Sequence, residues 1–156
     1  MKLFLDTSVL LPALVRSHPS HAVSRVLLQR IVQKKAIGFT STHVLAELYA
    51  KLTGIPFQPR IQSHEAKDLL DSMVLPHFEF IDLSTEDYKI AINHAIEHGV
   101  TGAALFDALI PAAAIRADTD LIVTFNARDF RRIRPELTET IVTPVDPELA
   151  DLVEGA

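Results

Sequence analysis

Apolar residues along this chain come in short blocks, and their spacing switches repeatedly between that of a strand and that of a helix. Lys2-Leu3-Phe4-Leu5 is a short, mostly apolar run that predicts a buried first strand. Val9 to Val15 is apolar and helix-compatible, and Ser17-His18-Pro19-Ser20 makes a turn. From His21 to Lys34, Ala22, Val23, Val26, Leu27, Ile31 and Val32 keep to one helical stripe, with Arg25, Arg30 and Lys34 opposite. Ile37 to Thr40 predicts a strand. Thr40-Ser41-Thr42 offers helix caps before Val44, Leu45, Leu48 and Leu52, and Gly54-Ile55-Pro56 stops that helix. After a loop, a helix runs from Ser63 or His64 to about Val74. Phe78 to Leu83 then alternates apolar and acidic residues, as a strand does. Ser84 caps a helix with an acidic first turn that ends at Gly99, and Gly102 precedes an apolar helix around Asp107. Leu121-Ile122-Val123-Thr124 reads as a central parallel strand, Thr140 to Thr143 as a last strand, and Pro147 to Leu152 as a short terminal helix.

Strands alternating with helices predict an α/β fold, with helices covering both faces of a mostly parallel sheet of four to five strands. At 156 residues, with no repeat, low-complexity segment or linker, the chain is expected to form one domain over 1–156. Composition narrows this further. There is no cysteine, which removes disulfides and thiolate chemistry and fits a reducing cytoplasm. The formal net charge of -5 argues against a simple basic nucleic-acid coat. It argues less against a nuclease whose metal site adds carboxylates. The most apolar stretch, Ala103 to Ile115, is too short to span a bilayer and carries Asp107. Asp6 breaks the apolar N-terminus and no small-residue cleavage pattern follows, so neither a membrane span nor a signal peptide is expected.

Candidate chemistry lies in four acidic positions. Asp6 follows the first predicted strand, at the end where ligands bind in open parallel sheets. The simpler role for Asp6 or Ser8 is to cap the next helix. Glu47 flanks the apolar stripe of its helix, and its simpler role is an ion pair with Lys51 at i,i+4. Asp107 stands among Ala103-Ala104-Leu105-Phe106 and Ala108-Leu109-Ile110, in a helix expected to be buried nearly all round. There it needs a cation or a buried partner, for which Arg116 is a candidate. Pro111 would clash with the Asp107 carbonyl and predicts a kink. Asn126 and Asp129 follow the Leu121–Thr124 strand, where a turn and a capped short helix are the plain alternative.

If these sites meet at one sheet edge, repulsion forces some carboxylates to protonate unless a cation joins them. Oxygen-only ligands suit Mg²⁺ or Mn²⁺, which can activate water for attack on a phosphodiester. His94 and His98 have i,i+4 spacing suited to a transition metal, but no third ligand is visible in the sequence. A polar face with His98 at the helix C-terminus is the simpler reading.

Phe4-Leu5-Asp6-Thr7-Ser8-Val9-Leu10, Glu47 on a helix led by Thr40-Ser41, Phe106-Asp107-Ala108-Leu109-Ile110, and Thr124-Phe125-Asn126-Ala127-Arg128-Asp129-Phe130 together resemble the PIN-domain ribonucleases. More narrowly, they resemble the VapC-type toxins of toxin–antitoxin pairs. Each motif alone is weak, and the four in this order, to about Arg134, are specific. The resemblance implies a PIN-like three-layer sandwich and a Mg²⁺- or Mn²⁺-dependent endoribonuclease. It also implies a homodimer, held inactive by a small antitoxin. The catalytic and metal-binding acids then fall on Asp6, Glu47 and Asp107. Many members carry an acid where this chain has Asn126, so Asp129 is taken as the fourth, with Ser8, Thr124 and Asn126 supporting. Pro111 stands where small helix formers are more usual.

Arg128, Arg131, Arg132 and Arg134 cluster beside the last motif, and Lys51 can reach the same edge. Arg128, Arg131, Arg132 and Lys51 are the expected RNA contacts, although a charge run is also what a plain solvated helix end looks like. Two other functions fit less well. One is a non-cleaving RNA-binding or interaction module on the same fold. The other is a phosphatase using Asp6 as nucleophile, which generally wants a second acid where Ser8 stands. The apolar positions Val26, Leu27 and Ile31, or Leu69, Leu70 and Met73, belong to the core by default and to a partner face otherwise.

Overall fold

Leu3, Phe4 and Leu5 are fully buried, as the middle strand of a sheet covered on both faces requires. This strand, β1 (Lys2–Leu5), lies at the centre of a parallel sheet with β2 (Ile37–Ser41), β3 (Phe78–Ile81), β4 (Leu121–Val123) and β5 (Ile141–Val142), in the order β3-β2-β1-β4-β5. The structure, a computed structural model, describes residues 1–150. Register pairs Phe4 with Phe39 on one side and with Ile122 on the other. The Thr40 hydroxyl donates to the Leu5 carbonyl at 2.9 Å, fastening β2 to the carboxyl end of β1.

Seven α-helices are described: α1 (Thr7–Leu14), α2 (His21–Val32), α3 (Thr42–Gly54), α4 (Ser63–Met73), α5 (Thr85–Glu97), α6 (Leu105–Arg116) and α7 (Ala127–Ile133). Right-handed crossovers moving outward from β1 to β3 put α1–α4 on one face. The return to β4 and β5 puts α5–α7 on the other. Packing agrees, with α1 against α2 and α3, α3 against α4, and α6 against α5 and α7. The main core includes the β1 residues with Leu27, Leu48, Leu52 and Phe130. A smaller cluster of Ala91, Ala95, Val100, Ala108, Leu109 and Ile133 seals α5 to α6 and α7. Among the described residues, no helix is long and apolar enough to cross a membrane.

Three expectations change. The buried face of α2 is Ser24, Leu27, Leu28, Arg30 and Ile31, with Ala22 exposed. The i, i+3, i+4, i+7 pattern through Ser24 sets the face, and Arg30, placed opposite the core by the sequence stripe, is 4% exposed. The α6 helix is not buried all round, since Phe106 and Ile115 are 49% and 48% exposed. Asp107 lies in its first turn rather than its middle. The chain end forms a 3-10 turn at Pro147–Leu149, and Leu152 of the expected terminal helix lies outside the described residues. Of the apolar positions weighed as partner surface, Leu27, Ile31 and Leu70 are buried in the main core, and Leu69 and Met73 pack against it.

Candidate metal centre

The order β3-β2-β1-β4-β5 reverses direction between β1 and β4, so the crevice between their carboxyl ends is the place where such sheets bind ligands. Asp6 follows β1 there, and Thr124 follows β4. Asp6 caps α1 by accepting from the Val9 N–H at 3.3 Å, so the simple capping role holds. That bond uses one oxygen. The Ser8 hydroxyl donates to the same Oδ1 at 2.7 Å, and the Thr124 hydroxyl donates to Oδ2 at 2.8 Å. Each hydroxyl is oriented in turn, Ser8 by the Phe125 N–H and Thr124 by the Asn126 N–H, both at 2.9 Å. Two parallel relays therefore fix the Asp6 carboxylate. Ser8 and Thr124 bond Asp6 directly, while Asn126 contributes only its backbone N–H, to the Thr124 hydroxyl.

Burial raises Asp6 from the usual 3.8 to about 6, against the three hydrogen bonds that lower it and with added repulsion from Glu47. Glu47 behaves oppositely. Burial works to raise it, but bonds from Lys51 and Thr7 and the nearby charges of Lys51 and His43 hold it below the usual range. The expected ion pair with Lys51 is present at 2.8 Å, and the Thr7 hydroxyl donates to the other oxygen at 2.7 Å. Glu47 thus makes the simple ion pair and also acts electrostatically on Asp6. Asp107 is raised by burial and by repulsion from Glu47 and Asp129, against Lys51. Arg116 does not pair with it; its guanidinium lies 2.6 Å from Asp87.

The electrostatic couplings link all four acids, Asp6 to Glu47, Glu47 to Asp107, and Asp107 to Asp129. They remain spread. Among the described residues only His94, Glu97 and His98 bring three donor atoms within 4.8 Å of one another. The donor set fits a hard divalent cation, with oxygen ligands only and two carboxylates pushed towards the protonated form by their surroundings.

Asp129, and not the Asn126 side chain, acts electrostatically on Asp107. It sits in the first turn of α7, with the Arg132 guanidinium 3.7 Å away. Arg128 and Arg132 are exposed on α7. Arg131 turns inward, donating to the Ile141 carbonyl at 2.5 Å and facing Asp146 at 3.9 Å. Sequence reasoning missed Thr7, whose place two residues beyond a buried strand end was the available signal. It also missed His43 stacked on Phe106, ring centroids 5.1 Å apart, a pairing across 63 residues with no local signature.

A family model for the PIN domain matches residues 3–135. Ribonuclease VapC27 of Mycobacterium tuberculosis (strain ATCC 25618 / H37Rv) is 31% identical over 119 residues, covering 76% of this chain and 81% of that protein. Ribonuclease VapC40 of Mycobacterium tuberculosis (strain CDC 1551 / Oshkosh) is 30% identical over 128 residues, covering 82% and 87%. The solved structure of VapBC2 from Rickettsia felis, bound to a promoter DNA fragment, aligns with a TM-score of 0.64 at 23% identity, covering 92% of this chain and 98% of that one. Mycobacterium tuberculosis VapC20, titled a sarcin-ricin loop cleaving toxin, aligns with a TM-score of 0.63 at 16% identity, covering 81% and 92%. At these identities the two structures speak for the fold.

Proposed function

The chain belongs to the PIN domain family, and from that premise we propose that it is a divalent-metal-dependent endoribonuclease, the toxin of a toxin–antitoxin pair. The observation that carries the reading is Asp6, buried at the sheet's switch point, raised to about 6, and coupled to Glu47. Asp6, Glu47 and Asp107 would hold the cation, Mg²⁺ or Mn²⁺, with Asp129 as the fourth acid. When bound, the ion supplies an activated water and neutralises charge developing on the phosphate.

The chain's own groups do the rest. The Ser8 and Thr124 hydroxyls aim Asp6, and removal of such supporting partners typically costs 10–100-fold in metal affinity or activity. Thr7 and Lys51 keep Glu47 ionised and pointed into the crevice. Lys51, whose side chain is 45% exposed, also offers positive charge to an incoming phosphate. Arg128 and Arg132 extend that basic rim on α7 and contact the RNA backbone, whereas the bonds of Arg131 give it a structural share.

The relatives' names supply the partner classes. The Rickettsia felis structure is of a VapBC pair, so a small antitoxin is the proposed partner here, with a homodimer as the working assembly, one nuclease domain over 1–156, and the cytoplasm as the compartment. The test is RNA cleavage titrated with Mg²⁺ and Mn²⁺. Activity must be lost with EDTA and in Asp6→Asn and Asp107→Asn, each still folded by circular dichroism. RNA bound but uncut at saturating metal would support the non-cleaving module instead.

A further inference from the structure

On the face of the sheet covered by α5–α7, α5 ends in His94-Ala95-Ile96-Glu97-His98, followed by Gly99. Here the structure supplies the third ligand that the sequence did not reveal. Donor atoms of His94, Glu97 and His98 lie within 4.8 Å of one another. The two rings stack one turn apart, centroids 6.0 Å and planes 22° apart.

Two further observations point to a ligand. The His98 Nδ1 lies 2.8 Å from the His94 carbonyl oxygen. A carbonyl only accepts, so Nδ1 carries the proton and Nε2 keeps its lone pair free. This is the arrangement by which metal-binding histidines are held, the second ring nitrogen anchored on a backbone carbonyl. The His94 Nδ1 is shielded from solvent and has no hydrogen-bond partner, with a Glu97 carboxylate oxygen 3.9 Å away. A shielded ring nitrogen without a partner is unusual in a folded chain and calls for an explanation. The location also favours a cation, because carbonyl dipoles converge at the C-terminus of α5.

We propose that His94, Glu97 and His98 form a second metal site, independent of the acidic crevice, that takes a borderline transition metal of the Zn²⁺ type. Two imidazole nitrogens and one carboxylate select Zn²⁺, Ni²⁺ or Cu²⁺ over Mg²⁺. Tetrahedral Zn²⁺ with bonds of about 2.0–2.1 Å needs donors roughly 3.4 Å apart, a spacing reached by modest side-chain rotation on one helical turn. Water completes the shell. The site's role is structural. It clamps the last turn of α5, where Ala95 and Val100 pack with Ala108, the residue after Asp107, in the smaller core cluster.

The experiment uses the full chain carrying Asp6→Asn and Asp107→Asn, so that the crevice does not contribute. Metal-stripped protein is titrated with Zn²⁺ by calorimetry and with Co²⁺ by visible absorption. One ion per chain is expected, with tetrahedral Co²⁺ bands and a rise in Tm that Mg²⁺ does not produce. His94→Ala, His98→Ala and Glu97→Gln should each weaken Zn²⁺ at least 10-fold. In the otherwise wild-type chain, His98→Ala should leave Mg²⁺-dependent cleavage unchanged. Zn²⁺ binding with the same stoichiometry and affinity in the His94→Ala/His98→Ala double variant overturns the proposal, as does the absence of Zn²⁺ binding at micromolar concentrations.

Discussion

Asp6 holds its position through groups that the acid itself does not contribute. Thr124 is fully buried, and its hydroxyl both accepts the Asn126 N–H and donates to Asp6. Thr124→Val keeps the shape and deletes both bonds. We expect a loss of about 1–3 kcal/mol in stability, the cost of leaving buried donors and acceptors unmade, with a 10–100-fold loss of cleavage; urea unfolding and single-turnover cleavage check the two. The raised carboxylates also set a pH dependence. An acid whose folded pKa exceeds its unfolded value gives the fold stability that is complete below about 3.8 and lost as pH rises through about 6. For Asp6 this amounts to roughly 3 kcal/mol by pH 8 without metal. If Asp6 holds the cation as proposed, protons compete with it at the same oxygens, so metal-dependent cleavage should fall steeply as pH drops through about 6. A rate–pH profile at subsaturating Mn²⁺ checks this, and a flat profile between pH 5 and 8 contradicts it.

Two glycines decide how elements meet. Gly99 ends α5 with φ +65, and the bonds Gly99 N–H to Ile96 carbonyl and Val100 N–H to Ala95 carbonyl complete a Schellman turn. Gly99→Ala should cost about 1 kcal/mol, read by thermal unfolding. Gly38 answers a different need. A Cβ there would stand 2.7 Å from Ile31 and 2.9 Å from the Phe78 ring, so α2 can lie on β2 only where β2 has no side chain. Gly38→Val should destabilise by about 1–3 kcal/mol, measured in urea.

At this scale the sequence was legible wherever local signals and packing agreed. Ser84 and Gly99 bracket α5 within a residue or two, and the apolar β1 and β4 runs are strands as read. It was less legible where packing overrode pattern. The buried face of α2 includes Ser24 and Arg30, two polar residues that a count of apolar positions leaves out. The first turn of α6 begins just before Asp107 because Gly102 and a 3-10 turn precede it, although the apolar stretch reads continuously from Ala103.

For the molecule as a whole, the crevice follows from strand order, which no single segment encodes. Asp6, Glu47, Asp107 and Asp129 could be named from local motifs, yet their electrostatic linkage depends on β1 lying between β2 and β4. Thr7 and the His43–Phe106 stack stayed hidden for the same reason, as contacts made only after the sheet forms. The net charge of -5 now has a local account in part, because Asp6, Glu47, Asp107 and Asp129 are linked electrostatically at one end of the sheet. The most direct test is the urea stability of wild type and Asp6→Asn at pH 8, each with EDTA and with Mn²⁺. The account predicts that Mn²⁺ stabilises wild type but not Asp6→Asn, and that the metal-free variant is at least as stable as metal-free wild type. Equal Mn²⁺ stabilisation of both proteins, or a metal-free variant markedly weaker than wild type, would contradict it.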